Sequence, residues 1–460
     1  MVTIDDLVNI DHNVWEIPKS HRHDMRVPAR ILASSSMLDE ICRDRSLEQI
    51  VNVATLPGIV RHAIVMPDMH EGYGFPIGGV AAFEVHRGII SPGGIGYDIN
   101  CGVRLLRSDK TIAEMRPYLE KVAHAIYQEV PSGVGRGGRL KLKNKDLDYV
   151  LMHGAQQMVE AGFGKREDLQ QLESGGRLSE ADSSLVSEHA KDRGRDQLGT
   201  MGAGNHFVEV EYIDAIFDPH EAQRLGVCMN QVVILIHTGS RGLGHQIATD
   251  YIRVMMKAMP RYKIVLPDRE LACVPFQSKE GQQYFRAMSA GANFAWANRQ
   301  LITWEVRQAW QEVLGDAGGT LEIVYDVAHN IAKIENNLVV HRKGATRAFP
   351  RQPVLIPGSM GSGSYILKGE EKAMVESFAS SCHGAGRRMS RTQAKRQIKG
   401  AALKEELLRK GIFVAAGSVG GLAEEAPEAY KNLDEVVTVI HEAGIATKVA
   451  HARPVAVIKG

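Results

Sequence analysis

The sequence predicts an α+β fold. Short apolar runs rich in β-branched residues end in glycine clusters, and amphipathic helical stretches lie between them. The two kinds mix along the whole chain, with no linker long enough to separate domains and no internal repeat. The expectation is one large mixed domain over residues 1–460, central β-sheets with surrounding helices. After Pro117, the apolar residues Leu119, Val122, Ile126 and Val130 recur at helical spacing, and Pro117 suits a first turn. Over residues 138–198 the chain turns polar and Ser/Glu/Asp-rich, which predicts an inserted, mobile region of helix and loop. Val232–Ile236, Leu321–Tyr325, Val354–Ile356 and Ile412–Ala415 read as buried central strands. Ser390 with Gln393 has capping-box spacing and Gly411 is a C-terminal stop, predicting one helix of about twenty residues. That helix would start beside His383 and aim its N-terminal amides there.

Composition narrows the class. With 44% hydrophobic and 24% charged residues the chain reads as a soluble globular protein. No apolar run approaches the roughly 18 residues that a membrane span needs. The start, MVTIDDLVNIDHNVWEI, is acidic and mixed, unlike a signal peptide. A formal charge of +1 means that any nucleic-acid affinity must come from local basic patches. Five scattered cysteines without framework spacing point to a reducing cytoplasm, and the lack of a CxxC pair excludes a zinc ribbon.

Chemistry concentrates at glycine-rich turns. GIGYDINCG holds Asp98 and Cys101, MGAGNHF holds His206, LIHTGSRG holds His237 and YDVAHN holds His329. Alone, each histidine reads as a hydrogen-bonded structural residue and the cysteine as a small buried hydrophobe. Together, at strand ends, they predict a shared metal site. Cys plus His suggests zinc by softness, while the carboxylate leaves manganese and iron open. His383, in SSCHGAGRR, stands among small residues beside Arg387 and Arg388, which can grip an anion in two-pronged fashion. Such an imidazole can act as general acid, metal ligand or nucleophile. Between Gly384 and Lys404 lie seven Lys/Arg, including Arg391, Lys395 and Arg396, and no Asp or Glu, a polyanion track or a solvated face. The turn from Pro357 to Ser364 resembles a phosphate-cradling loop but lacks the Walker lysine.

Eight motifs in order, MPDMHEGYGFPIGG, GIGYDINCGVR, LGTMGAGNHFVEV, HTGSRGLG, YDVAHN, PGSMGSGSY, HGAGRRMSR and ARPVAVIKG, resemble the RtcB family of RNA-splicing ligases over nearly the whole chain. The resemblance implies a GTP- and manganese-dependent ligase. Such enzymes join RNA 2′,3′-cyclic phosphate or 3′-phosphate ends to 5′-hydroxyl ends in tRNA splicing or RNA repair. It implies that Asp98, Cys101, His206, His237 and His329 hold two Mn²⁺ ions, with Cys101 bridging, and that His383 takes GMP. It further implies that Asn205, Phe207, Glu209, Asn330, Ser359, Ser364, Ala385, Gly386, Tyr430 and Lys459 line the guanylate pocket. Asp68, in PDMH, is the candidate to orient His383 as a carboxylate does in a triad. A cytoplasmic monomer acting on tRNA halves or cleaved RNA, with archease as activator and no membrane contact, completes the expectation. The alternatives are a dinuclear metal phosphodiesterase acting on RNA ends and a non-catalytic RNA-binding protein with a structural metal.

Overall fold

The computed structural model describes residues 2–133 and 137–460. Two large sheets carry a mixed α+β fold, with two large apolar clusters to each of which both sheets contribute. In one, the strands run in the order Leu321–Ala328, Gly102–Thr111, Gln231–Thr238, Phe207–Ile216, Ala446–Lys459, Ser364–Gly369, Pro353–Pro357, all neighbours antiparallel. Phe413–Ala416 joins it as a parallel partner of Ala446–Lys459. The other sheet includes the neighbours Ala63–His70, Ile77–Glu84, Leu338–Lys343 and Asn330–Glu335 in that order. The chain passes from the first sheet to the second at His329, between Leu321–Ala328 and Asn330–Glu335.

Of the four runs read as central strands, Gln231–Thr238 is central and buried along its length. Leu321–Ala328 and Pro353–Pro357 are instead the two ends of the strand order. Pro353 and Pro357 fit an edge, where a missing amide donor costs nothing. Leu321–Ala328 is buried without being central because the 138–198 region lies along its open side. Leu172 bridges to Asp326, and Glu173 accepts from the Ala328 amide at 2.8 Å and from Lys333 Nζ at 2.5 Å. Such a cover protects an edge that would otherwise pair promiscuously. The described residues of 138–198 form helices and 3₁₀ turns and no strand.

The helix after Pro117 forms as Leu119–Glu129, with Leu119, Val122 and Ile126 buried. The twenty-residue helix expected after Ser390 is two helices, Arg391–Gln397 and Gly400–Arg409. Ile398 is extended, at φ −116° and ψ 131°, and packs into the small core of Met360, Leu403, Leu407 and Ile412. Burying that side chain, with the weak helix former Gly400 next, breaks the helix. A 36-residue helix, Lys279–Leu314, has no counterpart in the sequence reading. It is buried nearly all round and carries Asn293, Asn298, Arg299, Gln300 and Thr303 inside the protein. Polar residues on its buried face blur the apolar period by which a helix is recognised.

Candidate active site

Sheet register assembles the centre. Gly102 pairs with both Thr238 and Ala328, and Phe207 pairs with His237, so these strands present one common end. Just at or beyond that end stand Cys101, His206, His237 and His329. The His329 amide donates to the Cys101 carbonyl at 2.9 Å. Asp98 arrives from the turn preceding Cys101, its Oδ1 held by the Ser240 amide at 2.9 Å. Gly239 is required there, since a Cβ would lie 2.4 Å from that carboxylate.

The donor atoms face one another. Cys101 Sγ lies 3.4 Å from His206 Nε2 and 3.3 Å from His237 Nε2, and His237 Nε2 lies 3.4 Å from His329 Nε2. Asp98 Oδ2 is 3.0 Å from His206 Nε2. Two donor sets result, Asp98–Cys101–His206 and Cys101–His237–His329, with Cys101 in both. His206 Nδ1 sits 3.1 Å from the Met201 carbonyl, which can only accept, so Nδ1 carries a hydrogen and Nε2 is the ring atom that faces Asp98 and Cys101. Donor atoms converging in this way suit a cation. Metal bonds of about 2.1 Å at tetrahedral angles place donors about 3.4 Å apart, the spacing seen here.

The charges agree. Burial and neighbouring imidazoles hold His237 and His329 well below the usual histidine range, leaving them neutral and free to ligate. Burial would raise the Asp98 carboxyl, but His206, His245 and Arg241 hold it below its ordinary value. Burial and Asp98 push the Cys101 thiol well up, an effect that a bound cation reverses.

His383 follows the short strand Ser380–Cys382, and Asp68 reaches it through a bulge. The strand Ala63–His70 uses five residues from Val65 to His70 where its partner steps only from Gly79 to Ile77. The bulged Asp68 is fully buried, accepts from the His383 amide at 2.9 Å, and lies 2.5 Å from His383 Nδ1 through the same Oδ2. Nε2 of His383 is thereby turned away from Asp68. Gly386, at φ +76°, packs where a Cβ would strike the Asp68 carbonyl at 2.1 Å.

One cavity of about 600 Å³ joins these parts. It is lined by Asp98, Cys101, His206, His237, His329 and His383, and by Asn205, Phe207, Asn330, Ser359, Ala385, Gly386, Tyr430 and Lys459. Glu209 and Ser364 do not line it. Glu209 and Glu211 are buried side by side on one strand, where desolvation pushes the first up to about 7 and the second well above the carboxylate range. Ser364 Oγ donates to Glu211 at 2.9 Å.

The basic segment is less free than its sequence suggests. Arg387 and Arg391 each bind Glu425 at 3.1 Å, and Lys395 pairs with Glu424. Arg388 and Arg396 have no ion pair among the described residues, and of these two Arg388 lines the cavity. Glu424 and Glu425 come from another helix, so no local motif foretold them. Among the cavity residues that went unread are His70 and Lys343. His70 stood in a quoted motif without a role, and Lys343 is a buried lysine donating to the Tyr73 and Phe75 carbonyls. Burial lowers Lys343 to about 7.

Arg299, from the long helix, ties three donor-bearing segments together. Its fully buried guanidinium donates to Asn100 O at 2.8 Å, Thr238 O at 2.9 Å and Asp326 Oδ2 at 2.8 Å. Those groups flank Cys101, His237 and His329. Arg299→Met should cost about 3–5 kcal/mol by leaving Asp326 and the carbonyls short of donors. Urea denaturation followed by circular dichroism reads this, and an unchanged midpoint contradicts it.

Residues 49–460 match the family model described as tRNA-splicing ligase RtcB. The chain belongs to the RtcB family. It is 54% identical over 477 aligned positions to the tRNA-splicing ligase RtcB of Thermococcus kodakarensis, covering 99% of each chain. It is 52% identical to that of Archaeoglobus fulgidus over 97% of each chain, and 51% identical to that of Nanoarchaeum equitans over 99% of each. Among the described residues no helix is long and apolar enough to cross a membrane.

Proposed function

We propose that this chain is an RNA ligase of the GTP- and manganese-dependent kind, joining 2′,3′-cyclic phosphate or 3′-phosphate RNA ends to 5′-hydroxyl ends through a guanylylated His383. The observation that carries the reading is Cys101 shared between two donor sets in the same cavity as a carboxylate-oriented histidine. The converging lone pairs fit a pair of divalent cations held by Asp98, Cys101 and His206 and by Cys101, His237 and His329. Bound there, such ions supply Lewis-acid stabilisation of phosphate charge.

The chain's own residues do the rest. Asp68 lies against the Nδ1 side of His383, so Nε2 is the attacking atom toward the α-phosphate of GTP. A phosphorus–nitrogen bond forms as pyrophosphate leaves. A cyclic end is first opened by water, which breaks the P–O2′ bond and leaves a 3′-phosphate and a free 2′-hydroxyl. The GMP then passes from His383 to the RNA 3′-phosphate, and the 5′-hydroxyl displaces it. Asn205, Phe207, Asn330, Ser359, Ala385, Gly386, Tyr430 and Lys459 are assigned to the guanylate. Glu209 and Ser364, assigned to the same pocket by the resemblance, lie off its lining and act on it from behind the wall. Arg387, Arg388 and Arg391 meet phosphate at the cavity, with Lys395 and Arg396 beyond it on the RNA path. A single ligase domain over 1–460 with 138–198 as insertion, action as a cytoplasmic monomer, and activation by archease belong to the same proposal.

The test uses metal-stripped protein, α-labelled GTP and an RNA pair with cyclic-phosphate and 5′-hydroxyl ends. Manganese should restore an acid-labile, alkali-stable protein adduct and sealed RNA, and zinc should bind tightly and inhibit. Sealing with zinc alone would remove manganese from the proposal. Cleavage of RNA ends with no adduct under any metal would favour a phosphodiesterase.

A further inference from the structure

Asp68 organises two imidazoles, not one. Its carboxylate meets Nδ1 of His383 at 2.5 Å, and its main-chain carbonyl lies 3.0 Å from Nδ1 of His70. A carbonyl cannot donate, so His70 carries its hydrogen on Nδ1 and keeps a bare lone pair on Nε2. His70 ends the bulged strand Ala63–His70 and lines the same cavity as His383. No protein group accepts from or donates to its Nε2 among the described residues. The bulge is pinned from behind, where Lys431 Nζ donates to Met69 O at 2.6 Å and Pro67 O at 3.2 Å. Both rings are thus fixed with Nε2 outward by one residue.

We propose that His70 is the proton acceptor for the RNA 5′-hydroxyl in the sealing step, a role that rests on the ligase reading above. His383 needs no base, because its attacking nitrogen already holds a free lone pair. The attacking hydroxyl does need one. Its oxygen bonds to the activated 3′-phosphate, its proton passes to His70 Nε2, and the bond to GMP breaks with the electron pair leaving on GMP. The proton then returns to solvent. Burial, with His383 and Lys431 nearby, lowers His70 to about 4, so the ring is neutral and able to accept at pH 7. Asp68 is the acid that opposes this shift, and a phosphate anion bound in the cavity would raise its basicity further.

The experiment compares two reactions in His70→Asn and His70→Ala: adduct formation with labelled GTP, and sealing of RNA supplied with a guanylylated 3′ end. Asn retains a donor for the Asp68 carbonyl but offers no base, so it separates chemistry from structure. General-base loss predicts that sealing falls about a hundredfold or more, well beyond any fall in adduct formation, in both variants. Added imidazole should restore sealing in His70→Ala. Equal losses in both reactions, full sealing in His70→Asn, or no response to imidazole in folded His70→Ala would each overturn the role. A wild-type protein that forms no adduct would instead sink the ligase reading itself.

Discussion

Cys101→Ala is expected to abolish guanylate transfer while leaving the fold close to intact. The substitution removes one sulfur from a site whose strands are held by sheet register, so a loss of only about 1 kcal/mol in stability is anticipated. Its effect on the centre is larger, because Cys101 belongs to both donor sets. Loss of several kcal/mol of charge stabilisation at phosphate corresponds to three or more orders of magnitude in rate. His237→Ala removes a donor from one set only. Equilibrium dialysis should then find the Asp98–Cys101–His206 ion retained in His237→Ala and both ions weakened in Cys101→Ala. Labelling of Cys101→Ala by GTP at near the wild-type rate would show that the donors do not serve catalysis.

His383→Ala should form no adduct and should not ligate RNA with GTP, yet should still seal RNA bearing a pre-guanylylated 3′ end. The asymmetry follows from geometry. In the proposed reaction Asp68 orients His383 for attack on GTP, while the donor sets and the rest of the cavity remain for the activated RNA. Asp68 also accepts from the His383 and Gly384 amides, so the backbone at 383–384 stays tethered without the imidazole. A general acid at this position predicts failure with both substrates. Sealing rates on the activated RNA, measured beside GTP labelling, separate the two roles.

The donor residues were legible in the sequence because they stand at turns flanking strand signals, most of them glycine-rich, and the register brings those turns together. Asp68 was legible only through its motif, since the bulge that carries it under His383 leaves no periodic trace. Burial and strand order are different properties, which is why Leu321–Ala328 read as central: its apolar run answers to the 166–176 segment, not to a second strand. The long helix was hidden by the same Asn and Arg residues that fix the donor-bearing segments. The charge run 387–396 showed only its own side of the interface. Glu424 and Glu425, at the C-terminal end of the helix Val419–Glu424, neutralise part of it. Glu209 was assigned to the guanylate pocket through the resemblance alone, and the structure seats it beside Glu211, off the cavity lining.

Lys343 makes the decisive measurement plain. It is a buried lysine at about 7 in the same cavity, and a lysine adduct would share the acid-labile, alkali-stable behaviour of a histidine adduct. Tandem mass spectrometry of peptides from the GTP-treated, manganese-loaded protein, prepared at alkaline pH, assigns the modified side chain directly. The account predicts GMP on the peptide containing His383, at its imidazole. GMP on Lys343 or any other residue, with His383 unmodified, would contradict it.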